Sequence, residues 1–392
     1  MDARYAFRKN PLRQACEGAP EMFEQVIPRL YTCMEPFVKT FQGQGADQHA
    51  KTSVGGLLSD VERQNVASIA DRFGQSRLPL QACIGWEAWD DEPLRSAWRR
   101  QGKNPWGHGD GVLVCEPSGR PKSGRESVGV ARQWCGRLGK GDPCQVAMSL
   151  GYGSSKGHPL VDTRRSWPKA WTKEKARLDK AGVPTAARGA RTRHPLALEM
   201  LAAHGAGLPH RGMAGDDEMG RPYWCRRRLE VWGERDLLAV PSHTLRRDLE
   251  VEPPGDSGRG RRPTRPWQTV EAWSQSLGDE AWQRRAGRDG RQGPLVVEAV
   301  TSRVVSRTHR RQPGDEERVV VIRDRDRDQD PVVKGDDSLS NAWPETPLGA
   351  WARVAQAAQR SEACLQSSQS EAGWADEEGR HWTGWQQQQT LA

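Results

Sequence analysis

No two of the eight cysteines are spaced as a CxxC pair, which removes the zinc ribbon and the thioredoxin-like redox motif from consideration. No stretch approaches the ~18 apolar residues of a membrane span, and MDARYAFRKN at the amino end lacks an apolar secretory segment. These absences predict reduced thiols and a cytoplasmic protein. Large apolar side chains are also scarce: Leu, Val, Ile and Phe together number 63 of 392, about 16%, under the ~20% level at which disorder competes with folding. A thin core is the expectation. Against disorder stands the charge balance, since 59 basic and 51 acidic residues leave a net of only +8. Tryptophan, at 17, outnumbers Phe and Tyr together, and Arg far exceeds Lys, a skew that fits a GC-rich coding sequence. The positive balance favours a polyanionic partner, with a merely basic soluble surface as the plain alternative.

Three acidic stations stand in order along this basic chain. Glu116 ends the apolar run in GVLVCEPSG, Asp216 and Asp217 adjoin in MAGDDEMGR, and Glu362 lies in RSEACLQSSQSEAG. Hard divalent cations take oxygen ligands from a few carboxylates and from substrate phosphates. Paired ions can activate an attacking oxygen and steady a leaving one. Val112, Leu113 and Val114 read as a buried strand with Glu116 at its carboxyl end, the edge where ligand sites of open α/β sheets gather.

Elsewhere the pattern alternates strands and helices. Residues 1–105 carry helix-like runs, Glu21 to Leu30 and Leu57 to Phe73, and SIADRFGQSR reads either as the start of a helix-turn-helix or as an ordinary core helix. GVLV, SVGVARQW and CQVAMSLGY predict a strand meander; a helix at Pro195 to His204, a strand reaching MAGD, a helix across PYWCRRRLEVWG and a strand LLAVPS follow. Trp171 to Lys180 reads as one basic helix, solvated or facing DNA. EVEPPGDSGRGRRPTRPW, residues 250–267, is a basic linker suited to phosphate backbones. GPLVVEAV, SRVVSRTHR and ERVVVIRDRD read as further strands. RDRDRDQD lacks the Gly and terminal Glu of a calcium loop, and GADQHAKT lacks the second Gly of a Walker loop, so neither is a site.

SVGVARQWCGRLGK, WTKEKARLDKAGVP, GDDEMGRPYW, ERDLLAVPSHT, GPLVVEAV and HWTGWQQQQTL together resemble the DDE superfamily endonucleases of bacterial insertion sequences, most closely the insertion sequence seven-zero-one type of transposase. The resemblance implies an α/β architecture with an RNase H-like catalytic core interrupted by a β-rich insertion and preceded by a helical domain. Its boundaries fall at 1–105 (DNA-binding helices), 106–245 (first part of the core), 246–350 (basic linker and insertion) and 351–392 (core completion). It assigns catalysis and metal binding to Glu116, Asp216 and Glu362, with Asp217 as rival to Asp216, and Mg²⁺ or Mn²⁺ as cofactor. Lys122, Arg132, Arg137, Lys140, Lys173, Lys175, Arg259, Arg261 and Arg262 would grip phosphate. The implied partners are double-stranded DNA, as terminal inverted repeats and target, and a second copy of the chain on that DNA, near the nucleoid.

The resemblance also has departures. Relatives read Asp-Glu-Ser-Gly where this chain reads Cys115-Glu116-Pro117-Ser118-Gly119, so their Asp falls on Cys115. A thiolate suits softer metals. Glu116 would inherit the role only by a one-residue slip, as through a bulge at Pro117. Ala358 and Gln369 replace basic residues beside the third acid, Arg120, Cys225 and Ser361 stand at apolar positions, and relatives continue past WTGWQQQQTLA into another helix. These departures predict a decayed and inactive copy, with a non-catalytic DNA-binding remnant as the alternative.

Overall fold

The computed structural model describes residues 26–38, 45–59, 61, 63–87, 89–189, 192–256, 264–290, 293–308, 310–324, 336–370, 373–374 and 379–391. Five helices come first: Val26–Val38, Ala46–Leu57, Val66–Arg72, Arg77–Gly85 and Glu92–Trp106. The single helix expected over Leu57 to Phe73 is interrupted, because local side chains satisfy its ends. Gln64 donates to the Leu57 carbonyl at 2.7 Å, and Asn65 caps the next helix by accepting from the Ser68 N–H at 3.0 Å. The SIADRFGQSR segment does form two short helices around Gly74, at φ 62°, and they close a small core of Leu57, Ile69, Ala70, Leu80 and Ile84.

One mixed sheet of 12 strands follows. Its first part is β1 (Val112–Pro121), β2 (Ala131–Cys135), β3 (Lys140–Gly153), β4 (Leu160–Arg165), β5 (Gly212–Gly215) and β6 (Asp236–Ala239). β3 lies antiparallel between β1 on one edge and β2 and β4 on the other; β5 runs parallel to β1, and β6 parallel to β5. The β1–β3 ladder runs from Val112↔Gly153 to Pro121↔Cys144 with no register shift, so the bulge expected at Pro117 is not there. β7 (Leu245–Asp248), β8 (Gln268–Thr269), β9 (Gln283–Gly290), β10 (Gly293–Arg307), β11 (Pro313–Asp324) and β12 (Asp336–Ser340) extend the same sheet through β6–β12 pairing. GPLVVEAV and SRVVSRTHR, two strands in the sequence pattern, are one 15-residue strand, β10. Beyond Asp324, RDRDRDQD falls outside the described residues.

Side-chain alternation sorts β1 between two cores. Leu113 and Cys115 pack with Met148 and Leu150 against the helices Arg193–His204 and Tyr223–Val231. Val112 and Val114 face the other way, onto Ala357 of the long helix Leu348–Ser370. That helix crosses β3 closely because glycine leaves it room: a Cβ on Gly153 would lie 3.1 Å from the Ala357 Cβ, and one on Gly151 would collide with Ser361. Its first turns cover the extension through Leu348, Trp351 and Ala352.

The basic helix expected over Trp171 to Lys180 is two, Lys169–Thr172 and Lys175–Lys180. Trp171 is drawn inward, donating to the Val130 carbonyl at 2.7 Å, and Glu174 leaves helical geometry at φ −111°. Trp171 joins Trp167, Trp382 and Trp385 in a core whose neighbouring rings lie 5.5 to 5.8 Å apart. The last two belong to the helix Trp382–Leu391, which also reaches the amino-terminal helices through Gln386 and Thr390 on Asp91 and Leu391 on the Ile69 cluster. Replacing Trp385 with Ala is expected to cost about 3–5 kcal/mol. It should also expose the cleavage sites of both the terminal helix and the amino-terminal helices to protease. Urea unfolding with limited proteolysis would read both, and an unchanged pattern would mean that this helix does not tie the two regions.

Candidate active site

Parallel pairing of β1 with β5 ends at Cys115↔Gly215, and the next residue on each strand is an acid, Glu116 and Asp216. Glu116 therefore sits at the carboxyl edge of the parallel pair, although β1 itself runs on to Pro121 against β3, past the end expected for it. By alternation Glu116 shares the face of Val112 and Val114, the face covered by the helix that carries Glu362. Cys115 faces the opposite core and is fully buried. The position-by-position match that lays the first acid on Cys115 thus points into packed side chains, and Glu116 needs no slip to reach the acidic edge.

The Glu116 carboxyl has no hydrogen-bond or ion-pair partner among the described residues, while its backbone pairs with Ser149 in the β1–β3 ladder. Burial, then the charges of Asp216 and Glu362, holds its carboxyl well above the usual range. Asp216 caps the short helix Asp217–Gly220, its Oδ1 accepting from the Met219 N–H at 3.3 Å. Burial first and Glu218 second push it up to about 7, while Arg193 pulls the other way. Asp217 points elsewhere, to an exposed ion pair with Arg221 at 2.5 Å. Glu362 is exposed one residue after Ser361, the residue lodged against Gly151, and it accepts from Gln366 at 3.2 Å. The fold therefore sets Glu116 in the field of both Asp216 and Glu362, while Asp217, whose charge also acts on Asp216, turns its carboxylate to Arg221. Among the described residues no group of three or more His, Cys, Asp or Glu side chains stands close enough to hold an ion.

The three residues read as eroded packing each have an occupation. Arg120 is buried, stacked 4.5 Å from the Trp374 ring and donating to Gln389 at 2.5 Å. Cys225 fills the core beneath Cys115, and Ser361 fits its glycine. Ala358 and Gln369 turn inward, the first onto the Val112–Ala357 core and the second buried.

The basic candidates fall in three places. Lys122, Arg132, Arg137 and Lys140 lie on the excursion from β1 through β2 to β3, with Lys140 3.6 Å from Asp142. Lys173 and Lys175 are exposed on the split helical segment, tied beside that excursion by Arg177 on the Arg125 carbonyl and Lys180 on Glu126. Arg259, Arg261 and Arg262 lie outside the described residues. Sequence reading missed Arg193, which pairs with Glu218 at 2.6 Å and whose charge acts on Asp216. Nothing in ARTRHP distinguishes it from the other arginines.

A mixed sheet offering carboxylates where two parallel strands end, beside basic surface, has the make-up of a phosphoryl-transfer enzyme. Residues 36–294 match the DDE superfamily endonuclease family, and the chain belongs to that family. DNA is the substrate the family implies. No curated protein matches the chain. No helix among the described residues is long and apolar enough to cross a membrane.

Proposed function

We propose that the chain is a transposase that cuts and joins DNA, with Glu116, Asp216 and Glu362 as its catalytic and metal-holding acids. The observation that carries this is that Glu116 and Asp216, a hundred residues apart in sequence, adjoin where the β1–β5 pair ends, with Glu116 on the face covered by the helix that carries Glu362. Glu116 and Asp216 repel each other at the edge of the sheet with Arg193 as partial offset; an all-carboxylate donor set suits a hard divalent cation, and the three acids would have to draw closer than they stand here to share one. Mg²⁺ or Mn²⁺, when bound, supplies activation of the attacking oxygen and charge neutralisation at the leaving one. The chain's own part is to orient these acids on two strands and a helix, and to hold phosphate through Lys122, Arg132, Arg137, Lys140, Lys173 and Lys175.

The strand order supports an RNase H-like core: an antiparallel β1–β3–β4 meander, then two parallel strands, with the third acid on a late helix. In this reading the strands after β6 are the insertion, and residues 351–392 return the chain to the core. We further propose the insertion sequence seven-zero-one type, work as a dimer on paired element ends, and a place near the nucleoid. Catalysis is favoured over a decayed remnant because Glu116 already shares the face of Glu362.

Nicking of supercoiled plasmid by the purified protein tests the proposal. Activity is expected with Mn²⁺ or Mg²⁺ and not with chelator. Since losing an outer-shell partner of a metal costs ~10–100-fold, Asp216→Asn should cost about a hundredfold or more. Asp217→Asn, which breaks an exposed pair, should cost less than about threefold. DNA binding without any nicking would leave the non-catalytic remnant.

A further inference from the structure

Trp134 is the most exposed tryptophan among the described residues, at 61%. It sits on β2, followed by the turn Gly136–Leu138, and its ring makes no aromatic or cation contact among the described residues. Arg132, exposed two residues before it, lies on the same strand face, whereas Lys140 stands opposite Cys135 on the other face, 3.6 Å from Asp142. An apolar ring of this size left in water beside a positive charge is what a stacking platform for a nucleic-acid base requires.

Its position ties it to the acidic edge. The ribbon folds back on β1 so that a Cβ on Gly119 would lie 3.1 Å from the Cys135 Sγ and 3.5 Å from the Gly136 nitrogen. Gly119 is three residues beyond Glu116 on β1, or ~10 Å at ~3.3 Å per residue. Cys135 is buried against that glycine. Trp134, the residue before it on the strand, therefore turns to the opposite side and into solvent.

We propose that Trp134 stacks on a DNA base unpaired next to the strand that the acidic edge cuts, while Arg132 on the same face holds a flanking phosphate. The proposal deepens the DNA-cutting reading and rests on it for the occupant. Bases inside an intact duplex have their faces covered by neighbours, so an indole gains a stacking face only where pairing is opened. The ring supplies preference for an opened end, and the Arg132 cation supplies sequence-independent affinity.

The test uses the full chain with two short DNA probes, a blunt duplex and the same duplex with an unpaired end carrying 2-aminopurine. The parent protein should favour the unpaired end and quench the probe. Trp134→Ala should lose that preference by about fivefold to a hundredfold, the range of one lost base stack. It should still bind the blunt duplex within about twofold and melt as the parent does, because the ring is exposed. Trp134→Phe should keep part of the preference, and Arg132→Ala should weaken both probes alike. Unchanged preference and quenching in Trp134→Ala overturns the proposal. A parent that binds neither probe overturns it together with the DNA-cutting reading, whereas loss of the preference in Trp134→Ala supports it even if plasmid is never nicked.

Discussion

Glu116→Gln is expected to abolish DNA nicking, by about a hundredfold or more, while the protein folds and binds DNA as before. The substitution keeps the shape and removes the charge at the one position that feels both Asp216 and Glu362. It also removes a carboxyl that burial disfavours, so thermal unfolding should stay level or rise. Cys115→Asp gives the opposite pair of results. Cys115 is fully buried among Leu113, Met148, Leu196 and Cys225, on the face of β1 turned away from Glu362. Burial pushes even its thiol up, so a carboxyl there would be held neutral or left unpaired. A loss on the order of 3 kcal/mol or more is expected in urea unfolding, with no gain of nicking, whether or not Pro117 is deleted. Deleting Pro117 would shift by one residue every β1–β3 pair beyond Glu116, putting Ser118 and Arg120 on the wrong faces. Nicking that appears only in Cys115→Asp would overturn the assignment of Glu116 and return the first role to residue 115.

Most core strands could be read from the sequence as short apolar runs between Gly, Pro or Ser turns, and GVLV and MAGD landed on β1 and β5 with their acids at the point where pairing ends; β4, LVDTRR, was missed because half of it is charged or polar. Which face each acid takes could not be read. That depends on which residues of β1 meet the Leu348–Ser370 helix, a contact fixed by Gly151 and Gly153 on a third strand. Helix ends were misjudged where side chains outbid periodicity, as Gln64 and Asn65 do between two helices and Trp171 does beneath Val130.

The skew toward Trp and Arg, read as a mark of coding bias, also has a packing consequence. Arg165 on Trp385 at 4.1 Å, Arg246 on Trp273 at 4.4 Å and Arg323 on Trp282 at 3.7 Å place guanidinium planes over rings. These stacks let a chain with few Ile and Phe residues fill its interior. Hydropathy counting misses them because it treats each arginine as surface.

Asp236→Asn should flatten the fall in stability between about pH 4 and pH 8. Asp236 is buried where the first part of the sheet joins its extension. It exchanges hydrogen bonds of 3.0 Å with Asn341, accepting one from the Asn341 N–H and donating its own N–H to the Asn341 side chain, while its Oδ2 has no partner among the described residues. Burial raises its carboxyl to about 8, against ~3.9 in an unfolded chain. Between those values the folded state keeps a proton that the unfolded state has released, so stability is highest below about pH 4 and declines as pH rises. At about 1.4 kcal/mol per unit, the decline by pH 8 is on the order of 5 kcal/mol. Asp162 works in the other direction but in another window: hydrogen bonding to His204 and the charges of Arg95 and Arg164 depress it, so its contribution is lost only as pH falls below the unfolded value. Glu116 and Asp216 slope the same way as Asp236 in both proteins, so the difference between parent and Asn variant isolates this one carboxyl. Urea unfolding at a series of pH values should give curves that separate by several kcal/mol toward pH 8; parallel curves would mean that Asp236 is already ionised in the folded protein. Because the β6–β12 ladder has just two residue pairs among the described residues, Leu238↔Leu339 and Ala239↔Ser338, with Asp236 and Ser340 bonded beside them, loss of that proton should loosen the joint through which the extension, and the long helix laid across it, holds Glu362 over β1.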